Sequence, residues 1–266
     1  NTNNWIDSLM DKLPVLLSIP HGGTRIPPEV RDKIALSSNA VFNSGAAFTK
    51  ELYNLKTQVA HVVTTDISSL FVDVNRDPGE RPPKYPNGVV KSHTKNGLAI
   101  YKRGLSPDGL LIDALLKKYY YPYHDRISEL IEKRNKAVIL GLDCHSIPVG
   151  DAAASPDPGQ KKPLITLTNG YGETSPLEII QRLAVCFRQI FRLKESEVSI
   201  NPPDLGSFII RTYGNEPLPW IQIALNRSLY LKPLHPDNVS SRIQTETLFK
   251  LNSKITRALT LFFRGL

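Results

Sequence analysis

Short runs that are apolar at every position recur between stretches of helical periodicity, and this alternation restricts the chain more than any other feature. Val15-Leu16-Leu17 and Ala137-Val138-Ile139-Leu140 leave no polar side. A strand apolar on both sides must be covered on both sides, as happens in a parallel sheet with helices above and below. Strands are therefore expected at 15–17, 59–63, 70–74, 137–142, 164–167, 205–212 and 220–226. Helices are expected at 29–34, 46–56 and 107–134 (bent at Pro122), from Pro176 with Ser175 as its cap, and over 237–263. The predicted fold class is α/β, a three-layer, mostly parallel mixed sheet with helices on both faces. Polar residues gather at the strand ends, which places a site at the carboxyl edge of the sheet. Two long segments, 77–96 and 148–163, are rich in Pro and Gly and lack periodicity, so both are expected as surface loops.

Composition narrows the class further. A chain of 266 residues with 41% hydrophobic and 22% charged residues is ordinary for a globular protein, and one domain over 1–266 is expected. No apolar run approaches the roughly 18 residues that span a bilayer, and 1–11 carry no signal-peptide pattern. Cys144 and Cys186 form no CxxC pair. A reducing compartment, the cytoplasm, is the expected location, with no membrane partner. The net charge of +8 could serve nucleic acid or small acidic ligands. Lys and Arg are scattered among acids, however, and no basic run carries interleaved aromatics, so a nucleic-acid partner is not expected.

Three predicted strand ends carry chemistry. They are Pro20-His21-Gly22-Gly23, Asp73-Val74-Asn75-Arg76-Asp77 and Asp143-Cys144-His145-Ser146. Two histidines from separate strand ends can converge on a divalent metal, with an acid commonly completing the set. The Gly pair after His21 suggests close approach of a ligand or metal to the backbone. Asn-Arg suits a substrate carboxylate, and Asp73 and Asp143 suit acceptors that orient the histidines. Any one motif alone reads more simply as a cap or a loop hydrogen bond; the three together do not. Cys144 and His145 cannot form a nucleophile–base pair, because adjacent strand residues point to opposite faces. His61 lies inside an apolar strand and reads as a core or edge histidine.

These stretches, with 18–27, 71–76, 119–124, 142–147, 206–214 and 221–230, resemble the N-formylglutamate amidohydrolase (deformylase) family in the family's own order. The resemblance implies a zinc-carboxypeptidase-like (phosphorylase/hydrolase-like) fold and hydrolysis of the amide of an N-acyl amino acid. It implies one zinc ion held by His21, His145 and an acid, and a small-molecule partner bearing carboxylates. It further implies that Asn75, Arg76 and Arg211 contact those carboxylates, with Tyr213 and His124 as additional substrate-binding candidates. Two departures stand out. Ala46 occupies the position of a family Asp, the third metal ligand, and Ala224 that of a family Glu, the general base. Alanine at both positions means either substitutions made to disable an enzyme or a natural loss of activity. Two other readings stay open: a non-catalytic binding protein for N-acyl amino acids, and a peptide or cell-wall amidase on the same fold. The acyl group, the amino acid and the oligomeric state are not specified by the sequence.

Overall fold

A computed structural model describes residues 12–46, 48–132, 138–148, 162–202, 207–231 and 245–265. Its centre is a six-stranded sheet of order β2-β1-β3-β6-β4-β5. The strands are β1 (Leu13–Ile19), β2 (Val59–Thr64), β3 (Leu140–Ile147), β4 (Ile165–Thr168), β5 (Val198–Ile200) and β6 (Trp220–Asn226). Strands β2, β1, β3 and β6 run parallel; β4 pairs antiparallel with β6 and parallel with β5. The expected mixed, mostly parallel sheet is thus observed.

Two cores sandwich the sheet. On one face Val15, Leu17, Leu142, Cys144, Ile221 and Ile223 pack under α5 (Leu177–Phe191) and α7 (Thr245–Phe263). Helix α5 turns Ile180, Leu183, Ala184, Phe187 and Phe191 inward at helical spacing. Burying each large side chain contributes about 1.5–3 kcal/mol. On the other face Leu16, Val63 and Trp220 meet a long helical stretch made of α3 (Gly109–Leu115), a π-helical turn (Leu116–Tyr120) and α4 (Tyr121–Glu132). Both faces are therefore covered, which is why the strands read as apolar throughout.

The helix around Pro122 departs from expectation in its mechanism. Proline lacks the N–H that would close an α-helical bond. The turn before it widens instead, and the Tyr121 N–H donates to the Leu116 carbonyl five residues back. Helix α3 is capped by Asp108, whose carboxylate accepts from Leu111 N.

Several predicted elements are corrected. The run at 70–74 is not a strand: it is buried but folded into turns, with Phe71 N donating to Ser68 O and Asp73 N to Val89 O. The predicted strand at 205–212 is α6 (Phe208–Tyr213) over its described part, because Ser207 accepts from Ile210 N and starts a helix that the β-branched pair Ile209-Ile210 disguised. Residues 203–206 lie outside the described set. The polar stretch before 46 forms α1 (Ser38–Ser44), capped by Ser37. The helix expected over 46–56 shrinks to α2 (Thr49–Leu52), preceded by Phe48 in a left-handed conformation (φ 63°). Ser175 does not cap α5: its hydroxyl donates to Pro176 O and its carbonyl accepts from Asn169. Strand β3 runs through the Asp-Cys-His motif rather than ending before it. Most of the second predicted loop (149–161) and the start of the predicted last helix (237–244) lie outside the described residues. No described helix is long and apolar enough to cross a membrane.

Two glycines are required by close approach. A Cβ on Gly141 would sit 2.2 Å from the Trp220 ring, so its absence lets that indole lie flat against β3. A Cβ on Gly23 would sit 2.3 Å from the Ile67 carbonyl. Gly23, and Gly22 beside Lys50, thus admit the protein's own chain rather than a ligand, contrary to the sequence expectation.

Candidate active site

The chain after β1 proceeds to β2 on one side of the sheet, whereas the chain after β3 proceeds to β4 and β6 on the other. Between the carboxyl ends of β1 and β3 lies the crevice where α/β sheets characteristically bind ligands. His21 lies two residues past the end of β1, and His145 is the sixth residue of β3. Their rings meet edge to face with centroids 4.9 Å apart.

Each imidazole is oriented by a buried carboxylate. His21 Nε2 is 2.7 Å from Asp73 Oδ1, and His145 Nε2 is 2.8 Å from Asp143 Oδ2. Among the described residues, neither Nδ1 has a hydrogen-bond partner. A carboxylate fixing one ring nitrogen while the other stays free is the arrangement that metal-binding histidines adopt. Asp73 is also gripped by Lys91, whose Nζ lies 2.5 Å from Oδ2 and donates to Ser69 O. Burial alone would raise the Asp73 pKa; the charges of His21 and Lys91, with their hydrogen bonds, reverse this and hold it well below the usual carboxylate range. Burial lowers the His21 pKa, Asp73 opposes that, and His145 and Lys91 add to it.

Asn75 ties three elements together. Its Nδ2 donates to Asp143 Oδ2 at 3.3 Å and lies 3.1 Å from His145 Nε2, while its Oδ1 accepts from Ile209 N at 3.0 Å. The amide expected to meet a substrate is therefore engaged with the protein. Ser18 donates to Asp143 Oδ1, and the Tyr53 hydroxyl donates to the His145 carbonyl, pinning the end of β3.

Tyr213 and His124 face each other. The Tyr213 hydroxyl lies 2.9 Å from His124 Nδ1, and His124 Nε2 donates to the Val74 carbonyl at 2.9 Å. Both ring nitrogens of His124 are thus committed, Nε2 to the 73–76 turn and Nδ1 to α6. Arg76 is half exposed, 3.9 Å from Glu80, and Arg211 is exposed at the end of α6.

Of the two alanines, Ala224 falls beside a histidine. Ala224 is the register partner of His145 across β3 and β6, on the face that also carries Asp143 and Gln222. Ala46 lies in the turn between α1 and α2, its carbonyl accepting from Thr49, whose hydroxyl meets that of Ser146 at 2.8 Å. Ala46 also lines a cavity of about 340 Å3 with Gly23, Thr24, Ile26, Phe42 and Ser68. Cys144 is fully buried in the opposite core, burial pushing its thiol well above the ordinary value, and cannot serve as a nucleophile.

The zinc ion implied by the family finds two of its three implied protein ligands in these residues. Two carboxylate-backed imidazoles with free Nδ1 atoms fit a divalent metal. No cluster of three His, Cys, Asp or Glu side chains suited to a metal exists among the described residues, and Ala46 offers no donor. The full set is not met.

Sequence reasoning missed Lys91, Tyr53, Ser146 and Arg227. Only Lys91 left a signal, a lysine directly after the buried pair Val89-Val90 in an otherwise polar loop.

The family profile of N-formylglutamate amidohydrolase matches residues 13–231. The chain belongs to the N-formylglutamate amidohydrolase family. N-formylglutamate deformylases of Pseudomonas putida and Pseudomonas aeruginosa are each 28% identical over 142 residues. That alignment covers 51% of this chain and 52–53% of theirs, so the chain spans about half the length of the curated relatives it matches. A crystal structure of an N-formylglutamate amidohydrolase from Ralstonia eutropha superposes with a TM-score of 0.74 at 20% identity, covering 97% of each chain. A gene product of Agrobacterium tumefaciens superposes with a TM-score of 0.66 at 17% identity, covering 96% of this chain and 92% of that one. These likenesses establish the fold.

The buried His124 is expected to make stability fall on acidification. Burial lowers its folded pKa from 6.5, only partly offset by the Val74 bond. Below about pH 6.5 the unfolded chain takes up this proton first, so stability is highest above that pH and falls as pH drops toward the folded pKa. Urea unfolding at pH 7.5 and 5.0 should show this loss, with a shallower slope in His124→Gln. An equal slope in both proteins would refute the assignment.

Proposed function

We propose that this protein is an amidohydrolase-type binding site for an N-acyl amino acid, N-formylglutamate in the first instance, whose hydrolytic capacity is suppressed by alanine at positions 46 and 224. The observation that carries this is the His21–His145 pair, each ring braced by a buried aspartate, with a small-molecule-sized cavity lined by Gly23 two residues past His21. His21 and His145 supply the imidazole half of a zinc site. When bound, such an ion acts as a Lewis acid on a carbonyl oxygen. Asp73, Lys91, Asp143 and Asn75 hold the two rings in place before any ligand arrives, which lowers the entropic cost of ordering the site. Water-borne proton transfer requires a base near the scissile carbonyl, and the position in register with His145 carries only a methyl group.

Isothermal titration with N-formyl-L-glutamate, followed by formate assay on the same samples, tests this. The expected result is saturable binding with formate release close to the uncatalysed background. Absence of binding would overturn the assignment of the pocket. Rapid formate release would overturn the suppression and leave a functional enzyme with an unrecognised base.

A further inference from the structure

Arg227 is a cation fixed in place near the histidines, and unlike Lys91 it is not used by the reading above. It follows β6 directly, three residues past Ala224. Its Nε donates to Ser146 Oγ at 3.2 Å and its Nη2 to the Gly45 carbonyl at 3.1 Å. Ser146 adjoins His145, and Gly45 lines the cavity next to Ala46. The Tyr230 hydroxyl also lies against the guanidinium. All these partners are neutral. Among the described residues no carboxylate stands within ion-pair distance of Arg227.

A guanidinium carries five donors, and holding one away from bulk water without a counter-charge is costly. Burial pulls the Arg227 pKa down, opposed by Tyr230 alone. By contrast Arg76 is half exposed and Arg211 lies at the surface of α6.

We propose that Arg227, held between Ser146 and the cavity-lining Gly45, is an anion-binding subsite that anchors a carboxylate of the ligand. Resting on the amidohydrolase reading, this makes Arg227 the residue that separates a dianionic N-acyl amino acid from a monoanionic one. Two donors already fixed by Ser146 and Gly45 set the plane of the guanidinium, so the carboxylate meets a pre-oriented fork.

The test is calorimetric titration of the full chain with glutarate, N-formyl-L-glutamate and its monoanionic isostere N-formyl-L-glutamine. Wild type, Arg227→Met and Arg227→Lys are compared, with thermal melts as the control for folding. Arg227→Met should weaken both dianions by roughly 30-fold or more, with partial recovery in Arg227→Lys and little change for the monoanionic isostere. Glutarate binding that depends on Arg227, without any binding of N-formyl-L-glutamate, would uphold the subsite and overturn the amidohydrolase reading. N-formyl-L-glutamate bound equally by wild type and a folded Arg227→Met would overturn the subsite alone. Glutarate not bound by wild type would overturn the subsite as well. Should Arg227→Met fail to fold, unchanged dianion affinity in Arg227→Lys would overturn it.

Discussion

An Ala46→Asp, Ala224→Glu double variant is expected to hold zinc and release formate from N-formyl-L-glutamate, where the parent chain does neither to a comparable degree. The two substitutions act on separable quantities. His21 and His145 offer two imidazole nitrogens, and no third protein ligand is present among the described residues. A carboxylate at 46 would complete a three-ligand set, so Ala46→Asp alone should raise zinc content to about one ion per chain by elemental analysis. Ala224 faces the same side of the sheet as His145 and directly opposite it, so a glutamate there would extend over the histidine pair. Adding Ala224→Glu should raise turnover by about 10²–10⁴-fold with metal content unchanged. A parent chain already loaded with stoichiometric zinc would sink the assignment of position 46. A double variant that binds metal but does not turn over would sink that of position 224.

The second large effect concerns stability. Lys91→Met should destabilise the fold by about 3–5 kcal/mol, because it leaves Asp73 buried with half of its compensation gone. The Lys91 and Asp73 side chains are only 13% and 4% exposed, so solvent cannot substitute for the lost ammonium. The acid limb supplies a second readout. Asp73 has a folded pKa depressed below its unfolded value, so its contribution is fully present above about pH 4 and is lost as pH falls through the folded pKa. Removing Lys91 removes part of that depression, and the variant should therefore lose stability at a higher pH than wild type. Urea midpoints from pH 7 to pH 3 would measure both effects. A variant within about 0.5 kcal/mol of wild type at pH 7 would show that the contact contributes little.

What the sequence disclosed follows from how local each signal is. Strands β1 and β6 were legible because burial on both faces removes polar residues from a short window. The run at 70–74 has the same composition but not the same neighbours. Its apolar side chains enter the second core while its backbone bonds to Ser68 and Val89. Composition reports burial and not the hydrogen-bond partner. Helix α6 was hidden because six residues are too few to display a period, and its signal lay in the single cap Ser207.

The site divides along the same line. His21, Asp73, Asn75, Asp143 and His145 stood out as strand-end motifs, and the fold brings them within hydrogen-bonding distance of one another. Arg227 and Ser146 are 81 positions apart, and Tyr53 is 92 from His145. No window along the chain contains such a pair, so their relation exists only after folding. His124 and Tyr213 read as polar residues near a motif, yet their polar atoms face each other and the backbone.

The π-helical turn before Pro122 carries a consequence for how this region tolerates change. Each residue in an α-helix advances the side-chain direction by about 100°, so one additional residue in a turn resets the angular phase of everything after it. Upstream of the turn, Ile112 and Leu115 face the core; downstream, Tyr123 meets Ser18 and His124 meets Val74. The two halves keep separate phases, and the widened turn is the coupling between them. Removal of one residue within 116–120 would swing Tyr123 and His124 together away from the strand ends they brace. Chain length at this turn, more than the identity of any residue in it, sets the aim of the helix at the site.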